Sequence, residues 1–96
     1  MAELRVTPEV LDGQGDNLKQ LSEDLQQVLN DVDVKINEII DGWDGIGQDA
    51  YYDLYTQIKE SIKDVPTIIN SLGEGAKSAA KAYIDAEEAI KSATSK

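Results

Sequence analysis

The sequence contains no cysteine and no histidine, and these two absences narrow the chemistry open to the chain. Without cysteine it can form neither a disulfide nor a thiolate metal site. Without histidine it lacks the side chain that most often serves as a general base or a metal ligand. No nucleophile–base spacing, glycine-rich phosphate loop or D-x-[DN]-x-[DN]-G calcium loop takes their place. We therefore expect no catalytic residues, no cofactor and no metal site, and we predict that the chain is not an enzyme.

Bulky aromatic side chains and long apolar runs are also scarce. Four tyrosines, one tryptophan and no phenylalanine leave little bulk for a broad globular core, so an all-α rod or bundle is favoured. No apolar run approaches the ~20 residues of a membrane span, and the N-terminus lacks the apolar segment of a cleaved signal peptide. The residues alone predict no membrane insertion and, by default, a cytoplasmic protein, although some export routes read other signals.

Positive charge is rare in the first half of the chain. Residues 9 to 53 carry twelve carboxylates and two lysines, so this segment holds the whole net charge of −10. Nucleic acid and anionic membranes carry the same sign and are disfavoured partners. Two interpretations of the acidity stay open: it keeps a small protein soluble, or it meets a basic surface on another protein.

Two helical patterns divide the chain. Thr7, Pro8 and Glu9 supply a capping hydroxyl, a preorganised first helical position and an acid near the positive end of the helix dipole. Helix one is predicted over about 8–41 and helix two over about 47–91, because apolar residues recur at spacings of three or four. In helix one this series is Leu18, Leu21, Leu25, Val28, Val32, Ile36 and Ile39. In helix two it includes Leu54, Ile58, Ile62, Val65, Ile69, Leu72, Ala76, Ala79, Tyr83, Ala86 and Ile90.

Glycine and proline mark the points where these helices could be interrupted. Pro66 predicts a kink within a continuous helix two, and a break at Gly73 and Gly75 is the alternative. Gly13 and Gly15 weaken the start of helix one by about 1 kcal/mol each relative to alanine. They either fray that start or let another helix approach closely.

Two such helices are too thin to form an adequate core by themselves. At 1.5 Å per residue they extend about 50 Å and about 65–70 Å, and as a hairpin they bury only the strip between them. We therefore predict that residues 1–96 form a single antiparallel helix-turn-helix hairpin, which dimerises into a four-helix bundle.

The turn, residues 42–46, contains the only tryptophan of the chain between glycines. Gly42 is predicted to end helix one in a left-handed conformation, and the Trp43 side chain to fold back onto that helix. Gly45 lets the chain reverse without a Cβ clash. A bulky plug in a tight turn explains this pattern without any function.

A chain of this size with Trp43-Asp44-Gly45 at its midpoint, helices on both sides and Tyr83-x-x-x-Glu87 near its C-terminus resembles the WXG family of small type VII secreted proteins. The resemblance covers essentially the whole chain. It implies hairpins that pair antiparallel, as homodimers or with a related chain, and export from a Gram-positive bacterium without a cleaved signal peptide. The export complex is driven by an FtsK/SpoIIIE-type ATPase, and such proteins serve virulence or interbacterial competition in some systems.

The same resemblance assigns roles to four residues. Trp43 and Gly45 match the turn motif, and Tyr83 and Glu87 match the export signal, to which the turn of a partner chain contributes. By spacing alone, Tyr83 is better explained as a core residue; the turn motif in the same chain makes the export signal the favoured explanation. Two functions follow: a non-enzymatic secreted substrate that is exported as a folded dimer, or an escort that pairs with a larger type VII effector for its export.

Overall fold

The first helix begins where its capping residues predict. The computed structural model describes residues 6–94; residues 1–5 and 95–96 of the predicted hairpin lie outside the described residues. Helix α1 comprises Pro8–Asp41. The Thr7 hydroxyl accepts a hydrogen bond from the Val10 amide at 3.1 Å, with Pro8 at the first helical position and Glu9 in the first turn. The N-terminal cap expected from the sequence is confirmed.

The second half of the chain forms two helices, α2 over Gln48–Ile62 and α3 over Val65–Thr94. The sequence predicts one helix with a kink near Pro66; the structure instead interrupts the helix at Lys63 and Asp64. Pro66 has no N–H, and its ring clashes with the preceding turn of a continuous helix. As the second residue of a new helix it causes no such conflict, because amides in a first turn have no intrahelical partner. Helix α3 runs unbroken through Gly73 and Gly75.

Backbone hydrogen bonds mark the extent of the interruption. The Lys63 amide still donates to the Lys59 carbonyl at 3.0 Å, and the Ile68 amide donates to the Asp64 carbonyl at 3.0 Å. The amides of Asp64 and Thr67 donate no bond of this i to i−4 kind, and Pro66 has no amide hydrogen to donate. The helical ladder is therefore interrupted where α2 meets α3.

Helices α1 and α3 pack antiparallel through small residues. A Cβ built on Gly15 would lie 2.7 Å from the Gly73 carbonyl oxygen, and a Cβ on Gly73 would lie 2.7 Å from the Gly15 carbonyl oxygen. Seven residues after Gly15 and seven residues before Gly73, the Ser22 hydroxyl donates to the Pro66 carbonyl at 2.5 Å. Of the two alternatives for Gly15, close approach of another helix is the one observed. The molecule is a rod of 79 × 21 × 17 Å.

One broad face of this rod is apolar. Many exposed apolar side chains directly precede a residue of the α1–α3 contact: Leu21 precedes Ser22, and Leu72 precedes Gly73. A residue lies about 100° around the helix from the residue that follows it. Because α1 and α3 are antiparallel and their contact surfaces face each other, the residues that precede the contact residues lie on the same side of the hairpin in both helices. We call this side the apolar face. Its residues are Val10, Leu21, Val28, Val32, Ile39, Leu54, Ile58, Ile68, Leu72 and Tyr83.

The opposite face is polar and carries ion pairs between the helices. Asp16 directly follows Gly15, and its carboxylate lies 2.7 Å from Lys77 Nζ, which also lies 3.1 Å from Asp12. Glu74 directly follows Gly73 and pairs with Lys19. Lysines of α1 and α3 thus offset part of the negative charge where the helices meet.

Several apolar residues of the predicted series therefore face outward. The series treats Leu21, Val28, Leu72 and Tyr83 as interhelical, but between 43% and 60% of each is exposed. The most buried positions of the contact include smaller residues that hydrophobicity does not select, Gly15, Ser22 and Gly73. Among the described residues, Ala80 is the one apolar side chain other than proline that is buried.

Candidate functional site

The turn holds Trp43 against the start of α2. The indole Nε1 donates to the Ile46 carbonyl at 3.2 Å, and the ring lies 5.2 Å from that of Tyr51, tilted by 43°. The Gln48 side-chain amide donates to the Ile40 carbonyl at 2.7 Å and joins the start of α2 to the end of α1. The hydrogen bond of Trp43 is thus with the turn and its ring contact is with α2, and its packing onto α1 stays a prediction.

The glycines of the turn act at different positions from those predicted. Gly42 has φ −87° and ψ −2°, a right-handed conformation, so its predicted left-handed conformation is wrong. The Gly42 amide donates to the Glu38 carbonyl and the Trp43 amide donates to the Ile40 carbonyl, so α1 ends without a left-handed residue at Gly42. The left-handed glycines are Gly45 and Gly47, at φ +151° and +93°.

These positive φ angles explain why glycine is needed at both positions. A Cβ at Gly45 would meet nothing within 4 Å, so the predicted role in avoiding a steric clash is not the reason for this glycine. The backbone conformation is the reason, because a side chain is strained at that φ. Between the two glycines, the side chain of Ile46 is 100% exposed.

Tyr83 and Glu87 lie on α3 beyond the first residue of α1. Residue 22 contacts residue 66, and residue 15 faces residue 73, seven residues away on each helix. Seven residues further in the same antiparallel register, Pro8 lies level with Ala80, and both are buried. Tyr83 comes three residues later and is 43% exposed, and Glu87 is exposed one turn further along. Positions i and i+4 share one side of a helix, so the ring and the carboxylate are presented together.

The single chain does not bring the two motifs together. Trp43 and Gly45 lie in the turn, whereas Tyr83 and Glu87 lie near the other end of the rod. A site containing both motifs would need a second chain.

One polar cluster, which the sequence did not predict, joins α2 to α1. Asp33 Oδ1 lies 2.8 Å from Lys59 Nζ and accepts a hydrogen bond from the Tyr55 hydroxyl at 2.7 Å. The hydrogen bond from Lys59, and then that from Tyr55, lowers the pKa of Asp33 below the ordinary aspartate value. Asp33 appeared in the sequence only as one of many acidic residues, because its partners lie more than twenty residues away.

Across residues 6–94, no three acidic side chains are grouped so that they could hold a metal ion. The helices found there are not apolar enough over a sufficient length to cross a lipid bilayer.

Comparison with known families matches this arrangement of two helices around a Trp-x-Gly turn. The profile of the WXG100 family, described as proteins of 100 residues with WXG, matches residues 3–88. The chain belongs to the WXG100 family. No curated protein sequence gives a significant match.

Solved structures show the same fold. EsxA of Geobacillus thermodenitrificans superposes with a TM-score of 0.80 over 94% of this chain and 98% of its own, at 21% identity. A secreted protein EsxB of Bacillus anthracis gives a TM-score of 0.75 over 91% and 99%, at 24% identity. The wild-type form of that protein, in another crystal, gives a TM-score of 0.71 over 84% and 87%, at 26% identity. The all-α helical hairpin predicted from the sequence is confirmed.

Proposed function

We propose that this WXG100 protein is a small, non-enzymatic substrate of a type VII secretion system, exported without a cleaved signal peptide. Membership of the family and the likeness to proteins named as secreted support this proposal. The observation that carries it is the exposed Tyr83–Glu87 pair on the part of α3 that extends past the start of α1. Such a pair offers an aromatic ring and a carboxylate to a receptor with an apolar pocket and a basic group. The receptor we infer is the FtsK/SpoIIIE-type ATPase of the system.

Exposure of Tyr83 also bears on its alternative explanation as a core residue. Ala80 is buried beside the first residue of α1, whereas Tyr83 lies on the apolar face. A ring that does not fill the space between the helices of its own chain is available to a partner chain or to a receptor.

An export assay tests this assignment. Tyr83→Ala and Glu87→Ala should each lower the amount of protein in the culture supernatant relative to the cell lysate. Matched controls are Tyr52→Ala, at a tyrosine that is 52% exposed on α2, and Glu88→Ala, at the next carboxylate around α3. Undiminished export of the Tyr83 and Glu87 variants, with folding intact by circular dichroism, would show that these residues are not the signal.

Association through the apolar face is the second part of the proposal. A hairpin with one buried apolar side chain other than proline among its described residues has almost no core of its own. Covering the apolar face with the same face of a second chain gives a four-helix bundle, with a core formed from both chains. Antiparallel pairing would also place the Trp43–Gly45 turn of one chain beside the Tyr83–Glu87 pair of the other.

Two valines of α1 provide a matched test of this association. Val28 lies on the apolar face and is 53% exposed, whereas Val34 lies on the other side of α1 and is 58% exposed. By light scattering, the wild-type chain and Val34→Glu should have about twice the mass of one 10.5 kDa chain, and Val28→Glu should be monomeric. Loss of the dimer in both variants, or in neither, would place the interface elsewhere.

Acidity favours a second candidate, an escort that pairs with a larger type VII effector. Two copies at −10 each would bring −20 into one bundle, so a less acidic partner hairpin would be repelled less. A wild-type chain that stays monomeric alone, but forms a stable pair with an effector hairpin, would favour the escort over the homodimeric substrate.

A further inference from the structure

Helix α2 differs from α1 and α3 in how little of it is buried. None of its residues is buried, whereas α1 and α3 contain buried residues at their contact. A groove of about 130 Å³ separates α2 from α1, lined in part by Leu29, Tyr55 and Ile62. The small residues that let α1 and α3 touch have no counterpart along α2. Most of the packing of the hairpin is therefore between α1 and α3.

Both ends of α2 are also weakly continuous with the rest of the molecule. At its N-terminus, two left-handed glycines separate it from α1. At its C-terminus, α2 ends at Ile62, and neither Asp64, Pro66 nor Thr67 donates a helical hydrogen bond across the junction. Helix α2 has 15 residues, which is close to the length of ~12–15 residues below which even alanine-rich helices are marginal in water without tertiary packing.

The middle of α2 is held to α1 by one polar cluster. Asp33 of α1 binds both Lys59 and Tyr55, which lie one turn apart on α2. Lys59 Nζ also lies 5.9 Å from the centre of the Tyr55 ring. These groups are partly exposed, so water competes with every contact in the cluster.

We propose that α2 detaches from α1 and unfolds locally while α1 and α3 remain paired, and that the contacts of Asp33 with Lys59 and Tyr55 limit this local opening. Proteins open locally in units with few buried contacts, and α2 has fewer than its neighbours. Leu54 and Ile58 belong to the apolar face, so opening of α2 removes the part of that face nearest the turn. The inference goes beyond export and does not depend on it.

Amide hydrogen exchange on the purified full-length chain, followed residue by residue by NMR, tests the proposal. Amides in the middle of α2, around Tyr55 to Ile58, should exchange faster than amides around Ala76 to Ala80 in α3. Asp33→Asn should raise the exchange rates in α2 by about threefold or more, as expected for loss of a partly exposed charged contact, and leave those in α3 unchanged.

A nearby aspartate provides the control. Asp31 makes only a hydrogen bond within its own helix, from Gln27, so Asp31→Asn removes the same charge without touching α2. It should leave the ratio of exchange rates between α2 and α3 as in the wild type. If Asp33→Asn prevents folding, Tyr55→Phe removes one hydroxyl and should raise exchange in α2 alone. Equal exchange rates in α2 and α3 of the wild type, or a uniform rise in both, would overturn the proposal.

Discussion

Replacing Gly73 with alanine should weaken the packing of α1 against α3. The new Cβ would lie 2.7 Å from the Gly15 carbonyl oxygen and 2.8 Å from Lys19 Cγ. The lysine side chain can move aside, but the carbonyl belongs to the backbone of α1, so the helices must separate. Overpacking of this kind costs about 1–3 kcal/mol, against a gain of about 1 kcal/mol from replacing glycine in a helix interior. We expect Gly73→Ala to lower the free energy of unfolding by about 0–2 kcal/mol.

A substitution at a second glycine of α3 separates the cost of overpacking from the gain in helix propensity. A Cβ at Gly75 would meet nothing within 4 Å, so Gly75→Ala keeps the gain in helix propensity and adds no clash. It should raise the free energy of unfolding by about 1 kcal/mol, which places the two variants about 1–3 kcal/mol apart. On α1, Gly15→Ala and Gly13→Ala form the corresponding pair, because Gly15 faces Gly73 and a Cβ at Gly13 has open space.

Thermal and urea unfolding, followed by far-UV circular dichroism, measure the difference. All variants are compared at one protein concentration, because association would make the midpoint concentration-dependent. For a chain of this size, 1 kcal/mol corresponds to roughly 4–8 °C in Tm. Equal stabilisation by Gly73→Ala and Gly75→Ala would mean that the helices do not meet at Gly73 and would refute the reasoning.

Two further predictions concern polar contacts between the helices. Ser22→Ala removes the buried hydroxyl that donates to α3 and should lower the free energy of unfolding by about 0.5–1 kcal/mol, whereas Ser61→Ala, at an exposed serine bonded within its own helix, should change it by less than about 0.5 kcal/mol. NMR titration of Asp33 should give a pKa below the ordinary aspartate value, and Lys59→Met should raise it. Because the folded-state pKa is lowered, the stability contributed by Asp33 is present above its unfolded pKa and is lost as the pH falls through the folded value.

Much of the secondary structure could be predicted from local signals. The Thr7 cap and the apolar periodicity indicate where α1 lies, because both act within a few residues. Pro66 likewise indicates where the second half of the hairpin is disturbed. Whether the chain bends or starts a new helix there depends on the packing of the segments on either side, which a local pattern does not contain.

The inner and outer sides of the helices could not be predicted in the same way. An amphipathic stripe spans more than 100° of a helix, so it contains both the residues that face the partner helix and those beside them. Leu72 and Gly73 are neighbours in sequence, yet the larger one is exposed and the smaller one lies in the contact. Hydrophobicity favours leucine for the interior, whereas close approach of two backbones favours glycine.

For the candidate recognition residues, the sequence likewise predicted the local position but not the arrangement in space. Trp43 and Gly45 could be placed in the turn, and Tyr83 and Glu87 on one side of a helix, from sequence position and periodicity. Their separation to opposite ends of the rod, and the extension of α3 past the start of α1, depend on the antiparallel register.

By itself, the sequence determined that this protein is helical, where its turn lies, and which chemistries are excluded, because composition and short-range hydrogen bonding decide these properties. Only the tertiary structure decided that Gly15 and Gly73 form the contact between α1 and α3, that Asp33 binds α2, and that a broad apolar face points outward. Each of these depends on residues far apart in the chain meeting at a particular register, which is set by the packing of the whole hairpin.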